Sequence, residues 1–225
     1  MLNKKILLIG GCGFIGHNLA IHLKKMGADP VIVDSLAINN ILSFVDDEVQ
    51  NKKLYSSILN NRIELLNKNE IKLIIQDARD YHAISKIYHD INPEIIIHLA
   101  AVSHANKSNK DPHSTFDHSF RTLENTLDYA KKNKTHVIYM SSSMVYGNFE
   151  SEDVKEDRVC KPIGIYGTLK YSGELLVKAY SDVFNLPYTI IRPSALYGER
   201  CVSRRVGQIF IENAIQGLDI TINGD

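Results

Sequence analysis

Short apolar runs of strand length alternate along this chain with stretches whose apolar residues recur at helical spacing. The runs are Lys5–Ile9, Val31–Asp34, Leu73–Gln76, Ile95–His98, Val137–Ser141 and Tyr188–Arg192. Between them, Phe14–Lys25, Tyr81–Asp90, Ser114–Lys132 and Tyr166–Phe184 follow the helical period. Continuous apolar strands separated by helices mean a parallel sheet covered on both faces, since each crossover lays a helix over the sheet. The right-handed crossover rule then predicts an α/β fold with a doubly wound, Rossmann-type parallel sheet.

Two stretches break this rhythm. Residues 35–70 are too long for a simple loop, and Leu54, Ile58, Leu59, Ile63, Leu65 and Leu66 predict an extra amphipathic helical segment at about 38–68. Residues 147–162 carry Glu150, Glu152, Asp153, Glu156 and Asp157 and predict an exposed acidic loop. In Ser114–Lys132, Phe116, Phe120, Leu123 and Leu127 make one stripe, suited to the core or to a partner helix. Arg204–Gly217 is helical in pattern, and Asp219–Asp225 predicts a strand and the opening of a turn. The expected division is a dinucleotide-binding domain over 1–192 and the beginning of a small substrate-binding region over 193–225.

Composition narrows the function classes. Lys plus Arg and Asp plus Glu both number 26, so a chain of 225 residues carries no net charge. An electrostatic case for nucleic acid or an anionic membrane is therefore weak. Apolar residues are 44%, enough for a sizeable core. Three unpatterned cysteines predict free thiols rather than a disulfide framework, and nine histidines without convergent spacing predict no metal. No run approaches membrane-spanning length, and a cytoplasmic protein is expected.

The first strand leads into Gly10-Gly-Cys-Gly13-Phe14-Ile15-Gly16, which opens a helix. Glycine here permits a tight turn, lets backbone approach a pyrophosphate, and lets helix pack close to strand. Asp34 ends the second strand eighteen residues after Gly16. A carboxylate there accepts ribose hydroxyls and repels a 2′-phosphate, so NAD is the expected cofactor rather than NADP. Farther along, Tyr166 and Lys170 stand four apart, which puts both on one helical face. A neighbouring ammonium favours the phenolate, so Tyr166 is expected to exchange a proton far below its free pKa of about 10. The preceding strand ends in three hydroxyls, Ser141, Ser142 and Ser143, at the edge where ligands bind in this architecture.

Taken in order, these residues resemble the extended short-chain dehydrogenase/reductase family, the nucleotide-sugar epimerases and dehydratases. The resemblance runs through Gly10-x-x-Gly13-Phe-Ile-Gly16, Asp34, Asp77-Ala-Arg-Asp80, His98-Leu-Ala-Ala101, Asp111-Pro112, Ser141-Ser-Ser-Met-Val-Tyr-Gly147, Tyr166-x-x-x-Lys170 and Arg192-Pro-Ser-Ala-Leu-Tyr-Gly198. It implies Ser142, Tyr166 and Lys170 as the catalytic group. It implies cofactor contacts from Gly10, Gly13, Phe14, Ile15, Gly16, Asp34, Asp77, Ala78, Leu99, Ala100, Ala101, Ser141, Tyr166, Lys170 and Pro193. Ser143 and Arg200 are candidate substrate contacts; Arg204 and Arg205 are further candidates for a diphosphate.

The chain departs from the family pattern in places that carry information. Dehydratases of the family place an acidic pair after the catalytic hydroxyl, where this chain has Ser143 and Met144. Neither can serve as acid or base for elimination of water. His118-Ser-Phe-Arg-Thr122 replaces the usual Asn-Val-x-Gly-Thr, and Ala195 replaces a frequent Asn. The resemblance then implies an NAD-dependent epimerase of a nucleotide sugar, working through transient oxidation, most often at C4. A net reductase or dehydrogenase, or a dehydratase, of a nucleotide sugar is the enzymatic alternative; a dinucleotide sensor or scaffold is the other. Relatives continue past Asn223-Gly-Asp225, so the chain is expected to be truncated within its substrate region. A homodimer is expected by the same resemblance.

Overall fold

In a computed structural model, which describes residues 2–44, 51–103, 105–149, 153–202 and 205–222, the expected strands form one six-stranded sheet. They are β1 (Lys5–Ile9), β2 (Asp29–Asp34), β3 (Lys72–Ile75), β4 (Ile95–His98), β5 (His136–Met140) and β6 (Tyr188–Ile191). Their order is β3-β2-β1-β4-β5-β6 and every pair is parallel. The chain winds outward from β1 in both directions, so the connections leaving β1 and β4 diverge at the carboxyl ends of those strands. That divergence opens a crevice.

The pleat divides the central strand between two cores. Ile6 and Leu8 pack with Ile32 and Ile97 on one face; Leu7 and Ile9 pack with Val33, Ile84 and Ile96 on the other. Side chains two apart share a face, and each fully buried Leu or Ile contributes about 1.5–3 kcal/mol. Helix α1 (Phe14–Lys25) covers the first face, with Ala20 and Leu23 buried. The gap between β2 and β3 holds α2 (Lys52–Lys68), which buries Tyr55, Leu59, Arg62 and Leu66 on one stripe. Helix α3 (Tyr81–Ile91) is capped by Asp80, whose carboxylate accepts from the Ala83 N–H at 3.0 Å.

The expected helix over Ser114–Lys132 is instead compound. After α4 (Ala105–Lys110), α5 (Pro112–Phe116) opens with proline in its first turn and Asp111 as cap, at 3.0 Å from the Ser114 N–H. A π-helical turn, Asp117–Arg121, then leads into α6 (Thr122–Asn133). The wider turn rotates the helix face. Leu123 and Leu127 therefore reach the core, while Phe116 is 42% exposed and stacks on Phe120. The expected single stripe does not exist.

Helix α7 (Gly164–Phe184) begins two residues before Tyr166, and α8 (Val206–Gln216) occupies the last helical pattern. Asp219–Ile222, expected as a strand, is irregular and joins no ladder among the described residues. Asn223–Asp225 lie outside the described residues, as do Glu150 and Glu152 of the acidic loop; the described parts of that loop are irregular except for turns. Among the described residues Cys12, Cys160 and Cys201 form no disulfide. Among the described residues no helix is long and apolar enough to cross a membrane.

Candidate active site

A cleft runs across the carboxyl ends of the strands, over the divergence between β1 and β4. Its floor is the glycine turn: Gly10, Gly13, Phe14, Ile15 and Gly16. A Cβ on Gly10 would lie 2.7 Å from the Ala100 backbone, and Gly10 also has φ +75°. On Gly16 it would lie 2.4 Å from the Gly11 carbonyl oxygen. On Gly13 it would meet only the Gly10 carbonyl oxygen, at 3.4 Å. Two of these glycines are thus demanded by the fold, whereas the fold itself would accept a side chain at Gly13. Gly13 is the N-cap of helix α1, and no side chain caps the helix's first N–H groups. Uncapped donors and the positive end of a helix suit an anion, so this cradle fits the diphosphate of a dinucleotide.

Asp34 ends β2 at the adjoining wall. Its carboxylate accepts from the Cys12 N–H at 2.9 Å and the Leu36 N–H at 2.8 Å. Burial raises its pKa, and these two donors together with the nearby Arg62 guanidinium oppose the rise. Asp77 and Ala78 line the same end. Asp77 is held by Arg79, whose hydrogen bonds pull it below the usual carboxylate range. The Ala78 carbonyl accepts from Asn125 Nδ2 at 2.8 Å. Leu99, Ala100 and Ala101 form the middle, and Ser141, Ser142, Tyr166, Lys170 and Pro193 close the other end.

At that end Ser142 caps the short turn Ser143–Tyr146, its hydroxyl accepting from the Met144 N–H at 3.2 Å. Burial pushes the Tyr166 phenol up, while the nearby Ser142 hydroxyl and the field of Arg205 draw it down. Lys170 is buried, which lowers its ammonium to about 8. Its Nζ donates to the Met140 carbonyl at 2.7 Å and lies over the Tyr139 ring. The spacing argument expects Lys170 to act on the phenol. In the folded protein the ammonium is turned to the end of β5, and loss of water around the phenol dominates. His98, fully buried beneath, is lowered to about 3 by burial and bonds Thr126 and Thr122.

Two expected substrate contacts stand apart from the others. The Ser143 N–H donates to the Pro193 carbonyl at 2.9 Å, and Ser143 is not in the cleft lining. Arg200 turns its guanidinium to His17, Asn18 and Glu199, each at 3.0 Å. Arg205 does line the cleft, and Arg204 lies outside the described residues. Sequence reasoning passed over Arg62, which is 1% exposed, borders the cleft and donates to the Arg200 carbonyl. It also passed over Asn39 and Ser103, which meet at 2.9 Å across the mouth. A signal existed for Arg62: it is the one charged residue on the buried stripe of α2.

A family model described as the NAD dependent epimerase/dehydratase family matches residues 6–225. Protein CapI of Staphylococcus aureus is 32% identical over 196 residues, which are 86% of this chain and 54% of that protein. A putative UDP-glucose 4-epimerase of Methanocaldococcus jannaschii is 29% identical, covering 98% of this chain and 66% of the relative. Among solved structures, UDP-glucuronic acid 4-epimerase from Bacillus cereus, in complex with UDP-glucuronic acid and NAD, superposes with a TM-score of 0.84. Its identity is 28%, over 99% of this chain and 66% of that one. The chain thus spans between about half and two thirds of the length of these relatives.

Proposed function

Because this chain belongs to the NAD dependent epimerase/dehydratase family, we propose that it contributes the cofactor-binding and catalytic core of an NAD-dependent nucleotide-sugar epimerase acting at C4. The observation that carries this is the convergence of Ser142, Tyr166 and Lys170 at one end of a cleft whose other end has the glycine cradle and Asp34. Residues 1–192 form the dinucleotide-binding domain and 193–225 begin the substrate region. Gly10, Gly13 and Gly16 keep the floor clear for the diphosphate, the first N–H groups of α1 receive its charge, and Asp34 takes the ribose hydroxyls. When bound, the nicotinamide serves as temporary acceptor of a hydride from the sugar carbon.

The chain's own residues handle the proton. Ser142 orients the sugar hydroxyl and Tyr166 removes its proton, then returns it once the keto sugar has presented its other face. Lys170, its ammonium held at the Met140 carbonyl, is the donor for the nicotinamide ribose. Elimination of water is disfavoured because Ser143 and Met144, after the serine, offer no acid or base. Substrates of the UDP-glucose and UDP-glucuronate kind are supported by what the relatives are named for. A cytoplasmic homodimer is part of the same proposal, resting on the family likeness. The test is a panel of UDP-, dTDP-, GDP- and CDP-sugars followed by NMR. Inversion at C4 with no net cofactor consumption is expected. Stoichiometric oxidation or reduction of added cofactor would establish the net oxidoreductase instead.

A further inference from the structure

The groups assigned to catalysis come from three separated parts of the chain: the turn after β5, helix α7, and the turn after β6. One buried carboxylate touches all three. Glu174 lies on α7 one turn beyond Lys170 and two beyond Tyr166, on the same face. Its Oε1 accepts from the Ser141 hydroxyl at 2.5 Å and from Arg192 Nε at 2.9 Å; its Oε2 accepts from Arg192 Nη2 at 2.7 Å. Ser141 adjoins Ser142, and Arg192 adjoins Pro193. The remaining Arg192 nitrogen, Nη1, donates to the Tyr146 hydroxyl and to the Glu156 carbonyl, both at 2.9 Å. Tyr146 closes the turn that Ser142 caps, and the guanidinium lies over its ring at 4.9 Å. The Glu174 side chain is fully buried and that of Arg192 is 15% exposed.

We propose that the Glu174–Arg192 pair is the positioning device of this site, setting Ser142 and the Pro193 turn against Tyr166 and Lys170; the assignment rests on the catalytic reading of those residues. Stability alone does not account for such a pair. Buried ion pairs replaced by apolar residues of similar volume often leave a fold as stable or more so. What apolar residues cannot reproduce is direction. A planar guanidinium meeting both carboxylate oxygens fixes two elements in angle as well as distance, and a lysine ammonium would not. Ser141 carries that constraint one residue on, to the Ser142 hydroxyl, which opposes the rise that burial imposes on the Tyr166 phenol.

The test uses NAD-saturated protein with three readouts: melting temperature, kcat and KM on the UDP-sugar found active, and the Tyr166 titration. The last is followed by NMR of 13Cζ-tyrosine, assigned with Tyr166→Phe. The double variant Glu174→Leu/Arg192→Met should melt at or above the wild type and keep its KM. Its kcat should fall about 100-fold, the scale of a misplacement near 1 Å. Its Tyr166 midpoint should rise as the Ser142 contact loosens. Arg192→Lys, which keeps the charge and loses the fork, should also lower kcat and raise that midpoint. It carries the test should the double variant fail to fold. Wild-type kcat and an unmoved Tyr166 midpoint in a folded variant would overturn the positioning role while leaving the catalytic reading intact. A wild-type protein that neither binds NAD nor turns over a sugar removes both.

Discussion

The glycine turn allows cofactor binding and folding to be separated by a single methyl group. At Gly13 the backbone has φ −72° and ψ −178°, a conformation open to alanine. An added Cβ there would touch protein only at the Gly10 carbonyl oxygen, 3.4 Å away. Gly13→Ala should leave the cofactor-free protein as stable as before, or gain about 0.4–1 kcal/mol through a less flexible unfolded chain. The same methyl projects where a diphosphate must approach. Losing one charge-assisted contact costs about 1.5–3 kcal/mol, so NAD should bind roughly 10- to 150-fold more weakly. Gly16→Ala is the control: its Cβ would overlap backbone at 2.4–2.6 Å. Overpacking of that kind costs about 2–3 kcal/mol, or roughly 5–10 °C in melting temperature at this size. Calorimetric titration with NAD and a thermal melt of each variant make the comparison. Unchanged NAD affinity in Gly13→Ala would mean that no diphosphate lies over this turn.

Three other perturbations probe the rest of the cleft. Tyr166→Phe should reduce turnover by about 10²–10⁴-fold, the usual contribution of a positioned acid–base group, with NAD binding retained by calorimetry; undiminished turnover would remove Tyr166 from the mechanism. Asp34→Ala should weaken NAD by about tenfold or more and NADP by less, because the repulsion of a 2′-phosphate goes with the carboxylate; equal losses would dismiss the ribose argument. The third concerns pH. Burial lowers Lys170 to about 8 against 10.5, so between these values the unfolded chain holds a proton that the folded one has released. The share of the cofactor-free protein's stability that Lys170 controls should therefore rise with pH from about 8 toward 10, by an amount on the order of 2 kcal/mol, while buried Cys12, raised to about 11, works in the opposite sense above about 9. Urea unfolding across that range should show a more positive slope with pH in wild type than in Lys170→Met; the same slope in both would place the ammonium in water.

The hydrophobic pattern determined the strands, the helices between them and the parallel sense of the sheet, because buried strands and amphipathic helices write their periods directly into the residues. It also located the glycine cradle, Asp34 and the Tyr166–Lys170 spacing, since each depends on contacts within one short segment. Tertiary structure decided what depends on distant segments meeting. Lys170 turns to the Met140 carbonyl, Arg200 to α1, and the Phe116 stripe is rotated out by a π turn that no apolar period announces. Arg62 and Glu174 sit as charges on buried helical stripes, and their partners lie 138 and 18 residues away. Periodicity records whether a side chain faces inward; which polar atom it meets there is fixed only when the chain has closed around it.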